Sequence, residues 1–285
     1  MLYEYVRSED QAAQQSPPQV SVCINFCVNE LPFLKPLLQQ CALFSDDVMV
    51  LMGDRLCDGS SQKVRVFEGH FNKIYSHPSV RFLEYVVDAR EWEALRAGGA
   101  ALRPRAYVLN LARWTGIVAA KHDWVFLLDA DEIPEGARVR EWLGVAGPTL
   151  DPGHVYKLSN YWYFKSPTNQ ATTYEDSVML ANKRTLDKKA VFGDHERDSI
   201  PKETGAPLHH DVRGVDGLPM FHHYSWVRSK AGLETKIRIS AHKDDIFSRV
   251  DEARMVDHIY KDANVNDIVH GYEYKTVENR FGLVF

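Results

Sequence analysis

Between residues 20 and 128 the chain alternates short continuous apolar runs with stretches in which apolar side chains recur every three or four positions. Runs of four to eight apolar residues bounded by polar turns read as strands buried on both faces, and the longer period reads as an amphipathic helix. Residues 20–28 form the first predicted strand, which ends at Asn29-Glu30. Pro32 suits the first turn of a helix, along which Phe33, Leu34, Leu37, Leu38 and Cys41 recur at helical spacing. A second strand is predicted at 48–52, a third at 80–87, a short helix and turn at 88–99, and a helix at 105–121. On that last helix Tyr107, Leu111, Trp114 and Val118 form the apolar stripe, while Asn110 and Arg113, three apart, share another face. Trp124 to Leu128 completes the series as a fourth strand. Strands alternating with helices predict a parallel sheet wound right-handed, with helices on both faces.

Beyond residue 150 the pattern is less regular. Residues 153–165 alternate and are aromatic, predicting a strand, and residues 177–183 predict another. Tyr156, Tyr161, Trp162 and Tyr163 are ordinary occupants of a half-buried strand, and equally a surface on which a flat acceptor stacks. Residues 192–198 read as a polar loop, and 202–217, rich in Gly, Pro and His, as a mobile loop able to close over a site. A short apolar segment then ends in His222-His223, with a helix expected after Ser225. Residues 244–261 read as a polar helix docked by Ile246, Val250, Ala253 and Val256, and the tail 265–285 as a segment packing back on the body.

Composition narrows the class. With 285 residues, 45% hydrophobic and 26% charged, the chain is an ordinary globular one with room for one large α/β core. A net charge of −5 offers no bulk attraction for nucleic acid or an anionic membrane. Cys23, Cys27, Cys41 and Cys57 all fall in the first fifth of the chain without paired zinc spacing, and read as buried, reduced thiols. No window has signal-peptide character or spans a membrane, so a cytoplasmic protein is expected.

The candidate chemistry sits where the fourth strand stops. Asp129, Asp131 and Glu132 follow the apolar run within four residues, and Pro134 with Gly136 ends it. In open α/β sheets ligands bind beyond the carboxyl ends of the strands, where this cluster falls. Asp129 and Asp131 alternate onto one side, which is costly unless a cation lies close by. One reading is a divalent cation held by carboxylate oxygen and completed by ligand phosphates; the other is a solvated acidic turn. Asp54 and Asp58 repeat the pattern of a buried strand delivering acids at its carboxyl end.

Together, the strand ending in Asn29-Glu30, the second strand with Asp54 and the Asp58-Gly59-Ser60 turn, the helix with Asn110 and Arg113, and Asp129-Ala130-Asp131-Glu132 resemble family 2-like glycosyltransferases of the GT-A fold. The match covers roughly residues 20–145. The resemblance implies a GT-A, Rossmann-like, mostly parallel sheet flanked by helices, with a smaller C-terminal part that binds acceptor and closes the metal site. Residues 1–18 would be a loose arm, 19–145 the nucleotide-sugar half, and 146–285 the acceptor half and C-terminal helices of the same domain. It also implies an inverting, metal-dependent transfer of a sugar from a nucleotide diphosphate donor to a hydroxyl. Asn29, Glu30, Asp54, Asp58, Asn110, Arg113 and Asp129 would face the donor, and Asp131, with Asp129, the metal.

Such enzymes need a carboxylate base. Asp176, after Glu175, is the first choice, with Asp194 and Glu196 as rivals. Many GT-A enzymes complete the metal shell with a late histidine, and on the run His223-Tyr224-Ser225-Trp226-Val227-Arg228 the choice is His223 over His222. Imidazole favours manganese over magnesium. Arg228 or Lys230 would neutralise the diphosphate. The acceptor is left open among a glycan, a lipid-linked sugar, a protein and a modified DNA base. The alternatives are a catalytically inactive nucleotide- or glycan-binding protein of the same fold, and a sugar-phosphate nucleotidyltransferase.

Overall fold

The computed structural model describes residues 17–62, 75–97, 104–193, 196–239, 256–257, 259–260 and 270–285. Most of the N-terminal arm, Asp194, and most of the helix expected at 244–261 therefore lie outside the described residues.

The apolar runs do form the middle of a sheet. β1 (Val20–Phe26) lies between β2 (Asp47–Gly53) and β4 (Trp124–Asp129), parallel to both, and β3 (Val80–Tyr85) adds in parallel beyond β2. Strand alternation divides their side chains between two cores. Val22, Ile24, Val48, Val50, Phe126 and Leu128 meet Phe33, Leu34, Leu37 and Leu38 of α1 (Leu31–Cys41) on one face. Cys23, Met49, Leu51, Val125 and Leu127 meet Tyr107, Val108, Ala112 and Ile117 of α3 (Pro104–Ala119) on the other. The short α2 (Ala89–Ala97) precedes α3.

After β4 the chain turns at Ala130 and Asp131 into a three-residue strand, β5 (Glu132–Pro134), and then α4 (Gly136–Ala146). Gly136 is there because a Cβ would stand 2.1 Å from the carbonyl oxygen of Gln40, at the end of α1. A long hairpin of β6 (Val155–Phe164) and β7 (Asn169–Asn182) follows, with β7 antiparallel to β4. α5 (Lys188–Val191), α6 (Ser199–Thr204), β8 (Leu208–Val212), β9 (Phe221–Trp226), α7 (Lys230–Ile239) and β10 (Tyr274–Thr276) complete the described chain. The sheet runs β3-β2-β1-β4-β7-β6-β9-β5, with β10 on β7 and β8 on β6. This is the GT-A-like, Rossmann-like architecture: a parallel half flanked by helices, extended by a mixed half.

Two sequence expectations change. Residues 174–176 do not connect strands; they lie inside the 14-residue β7, whose polar first half conceals it from an apolar-run reading. Residues 202–217 are not one loop, since α6 ends there and Leu208–Val212 pairs with β6 as a short strand of mostly polar residues.

Asp47, fully buried at the start of β2, ties the sheet together: it accepts from Ser21 Oγ (2.7 Å), the Lys121 amide (2.8 Å) and Arg81 (2.6 Å). Burial alone would raise its carboxyl, yet these donors hold it below the ordinary aspartate value. A depressed folded pKa contributes stability above the unfolded value, and that contribution is lost as pH falls through the folded one. Asp47→Asn is therefore expected to cost about 2–3 kcal/mol at pH 7. In urea titrations the gap to the wild type should close below about pH 4; a gap independent of pH would refute the account.

Candidate active site

The site lies at the carboxyl edge of β1, β2 and β4. Asp129 ends β4 beside Asn25 of β1, whose Nδ2 donates to it at 3.3 Å. The turn into β5 then decides which late residue reaches the acids. β5 pairs antiparallel with β9 so that Glu132 stands opposite His223, and the Tyr224 amide donates to the Asp131 carbonyl (2.9 Å). A histidine from the C-terminal part is thereby carried to an acid from the N-terminal half, its Nε2 lying 3.6 Å from Asp131 Oδ1. Its neighbour His222 faces the other way and bonds Glu135 at 2.9 Å and Tyr163 at 2.7 Å.

Each acid has its counter-charge. Asp131 is 2% exposed, and its Oδ2 accepts from Arg228 (2.8 Å) and Lys236 (3.2 Å). Burial would raise its carboxyl, but Lys236, His223 and Arg228 together hold it well below the usual range. Glu30 shares Arg228 at 3.2 Å; burial, and then the charge of Asp131, push its carboxyl up. For His223, burial is outweighed by the neighbouring Asp131 carboxylate, so its imidazole titrates above the ordinary value. Asp129 is held between Arg113 (3.4 Å) and Arg197 (3.2 Å), while Glu132, fully buried, takes both terminal nitrogens of Arg197 at 2.8 and 2.9 Å. Burial works against ionisation of Glu132, and Arg197 keeps its carboxyl low.

These residues border a cleft of about 390 Å³, lined among others by Asn29, Glu30, Asp129, Asp131, Glu196, Arg197, His223 and Lys236. Among the described residues no three His, Cys, Asp or Glu side chains converge into a ready metal site. The pair Asp131 Oδ1 and His223 Nε2 nonetheless fits a divalent ion. Two donors sharing such an ion stand roughly 3–4 Å apart, and ions of this kind take one or two protein ligands and fill their shell from phosphate and water. The mixed oxygen and nitrogen donor set suits manganese.

The other residues singled out from sequence fall into three groups. Asn29, its Nδ2 bonded to the Gly232 carbonyl (3.1 Å), and Glu196 line the cleft. Asn110 and Arg113 stand behind the wall, bonded to each other (3.1 Å), with Arg113 also paired to Glu196 (3.3 Å). Arg228 lies beneath the floor, stacked over Phe33. Four are directed elsewhere. Asp54 accepts the Val87 amide (2.8 Å) and Asp58 pairs with Arg238 (2.7 Å). Lys230 points outward to Asp257 (2.9 Å), and Asp176 is held by His210 (2.7 Å) and Lys157 (3.3 Å). None of these four lines the cleft. Alternation accounts for Asp176: on β7 it faces opposite to Glu175. Glu175 stands across from Asn160, on the face that also carries Trp162 of the cleft wall, accepts from Tyr272 Oη (2.9 Å) and adds its charge to the field at His223.

Sequence reasoning did not single out Arg197 or Glu175. A third acid directly behind Asp131 was the only signal for Arg197: once buried, Glu132 must find a cation, but nothing local says which. Ser177 was missed as well. It is the extra residue where the β6–β7 register slips, and its Oγ reaches Asn160 Nδ2 (2.8 Å) and His223 Nδ1 (3.4 Å). Cys23 and Cys41 are buried thiols, but Cys27 and Cys57 stand in the cleft wall; all four are free. No helix among the described residues is long and apolar enough to cross a membrane.

No family model matches the sequence, and no curated protein does. Among solved structures the chain is similar to S. aureus TarS 1–349 in complex with UDP (TM-score 0.42, 12% identity, 85% of this chain and 69% of that one). It is also similar to glucosyl-3-phosphoglycerate synthase from Mycobacterium tuberculosis in complex with Mn2+, UDP and phosphoglyceric acid (TM-score 0.36, 14% identity, 70% and 72%). A third is a nucleotidyl transferase from Methanothermobacter thermautotroptrophicus (TM-score 0.40, 12% identity, 85% and 98%). The fold class rests on the order and register of the sheet rather than on these likenesses.

Proposed function

We propose that this chain is an inverting, metal-dependent glycosyltransferase that moves a sugar from a nucleoside diphosphate to an acceptor hydroxyl. The observation that carries the reading is the meeting of Asp131 and His223 across β5 and β9, in the lining of a cleft that Lys236 and Arg197 also line. Asp131 and His223 would hold a manganese or magnesium ion, which when bound offsets the charge that gathers on the departing diphosphate. Lys236, open to the cleft, adds a cationic donor to the phosphates, and Arg197, its terminal nitrogens taken by Glu132, Asp129 and Leu127, adds positive charge at the cleft wall. Asn29 and Glu30 bound the donor end of the cleft.

Of the carboxylates proposed as base, Glu196 is engaged by Arg113 and Asp176 by Lys157 and His210. Glu175 is the better choice: like Asp176 it stands outside the cleft lining, but it lies on the face of the sheet shared with Trp162, and its bonded partner is the neutral Tyr272 hydroxyl rather than a cation. In a single displacement the acceptor oxygen bonds to the anomeric carbon as the bond from that carbon to the diphosphate oxygen breaks. The acceptor proton passes to Glu175, and the configuration inverts.

Purified protein given Mn2+ and a panel of nucleotide sugars should release nucleoside diphosphate. Glu175→Gln should lose about 10²–10⁴-fold of the rate, the usual weight of a general base, while Asp176→Asn stays within a few-fold of wild type. Turnover of no donor would sink the reading; the reverse ranking of the two variants would return the base to Asp176.

A further inference from the structure

The two cations on Asp131 are not equivalent. Arg228 is sealed in, 3% exposed, and is fixed by Glu30, by the Tyr224 carbonyl (3.0 Å) and by the Phe33 ring. Lys236, on α7, reaches in from the cleft, its side chain 23% accessible, and among the described residues Asp131 is the carboxylate it bonds. Around this carboxylate the cations Arg228 and Lys236 at least balance the acids Asp131 and Glu30. A free divalent ion thus meets no net negative charge and has an ammonium already seated on its carboxylate. Divalent ions are drawn to sites with excess carboxylate charge, and a nearby ammonium opposes them strongly.

We propose that Lys236 is a resident counter-ion on the metal-binding carboxylate, which keeps free divalent ions out and admits the metal only together with a nucleoside diphosphate. This rests on the proposed function above. The diphosphate supplies what the cleft's own residues lack. Its oxygens give the ammonium a second set of acceptors and supply the negative charge that tips the balance toward the ion. A lysine suits the role because its compact charge rides on a flexible four-carbon stem and swings between acceptors, whereas the packed Arg228 cannot. The site is thereby made to bind metal and donor together, and the protein does not carry an idle metal ion.

The test is Mn2+ binding, followed by the electron paramagnetic resonance signal of free Mn2+, on wild type, Lys236→Met and Lys236→Arg. Each is measured alone and with UDP, GDP, ADP or CDP. Wild type should bind Mn2+ at least about tenfold tighter when the right nucleotide is present, the minimum expected when a like charge a few ångströms away is redirected. Lys236→Met should bind Mn2+ alone about tenfold tighter than wild type does, with the nucleotide's effect correspondingly reduced. Lys236→Arg, which keeps the charge, should behave as wild type. Lys236→Gln serves in place of the methionine variant should that one fail to fold. The inference is overturned if the neutral variants gain no affinity for Mn2+ alone, or if the arginine variant gains as much as they do. If wild type binds Mn2+ with none of the nucleotides, the reading of the function fails first and takes this inference with it.

Discussion

Asp131→Asn should remove sugar transfer while leaving a folded protein, with kcat falling by about 10²–10³-fold or more, the loss typical when one fixed electrostatic contact to a transition state is deleted. The substitution keeps the size of the side chain and one carbonyl oxygen, so steric change is small. What it removes is the charge that holds Arg228 and Lys236 on one oxygen and faces His223 with the other. The same change leaves Arg228 with Glu30 as its remaining carboxylate, so a stability loss of about 3 kcal/mol accompanies it. The two effects separate in the assay. Lost stability lowers the active fraction and is relieved by cooling, whereas a lost transition-state contact lowers kcat at every temperature at which the protein is folded. Activity within tenfold of wild type at 15 °C would remove Asp131 from the chemistry.

The parallel half of the sheet was legible because its strands are buried on both faces. Met49, Leu51, Val125 and Leu127 stand in unbroken apolar runs short enough for strands buried on both faces. The acids Asp129 and Asp131 were legible for the same reason: charge closing such a run stands out. The pairing of Asp131 with His223 was suggested by a family resemblance, while its geometric cause, the short antiparallel match of β5 with β9, was not visible, since Pro134 argued against any strand there. The mixed half was harder. β7 and β8 carry Thr172, Thr173, Glu175, His209 and His210 on exposed or half-exposed faces, so hydrophobicity marks only the buried end of β7. An off-by-one choice between Glu175 and Asp176 reverses which side of the sheet the proposed base faces, and a dipeptide cannot resolve it without the register. Asp54 and Asp58 show the converse case. An acid at a strand end serves as readily to accept a backbone amide or cap a turn as to meet a ligand, and here Val87 and Ser60 take those roles.

Arg197→Met should be the most destabilising single change near the cleft, by about 3–5 kcal/mol, because it leaves a buried carboxylate without its partner. Arg197 gives both terminal nitrogens to Glu132, one of them also to Asp129 and the other also to the Leu127 carbonyl. Glu132 has no exposed surface through which water could replace those bonds. Asp129 fares better, since Arg113 and Asn25 remain. At the scale of a few degrees per kcal/mol for a chain of this size, the melting temperature should drop by roughly 10 °C. The decisive measurement is the double variant Arg197→Met with Glu132→Gln. If the cost arises from a stranded charge, neutralising Glu132 restores a large part of what the single change removed, giving a coupling of about 1–3 kcal/mol between the two positions. If the cost came from lost packing of the arginine stem, the second substitution would add to the first. Arg197 also lines the cleft, so the recovered double variant should fold yet keep a raised KM for the nucleotide sugar, which separates the residue's part in the scaffold from the part its side chain plays in the cleft wall.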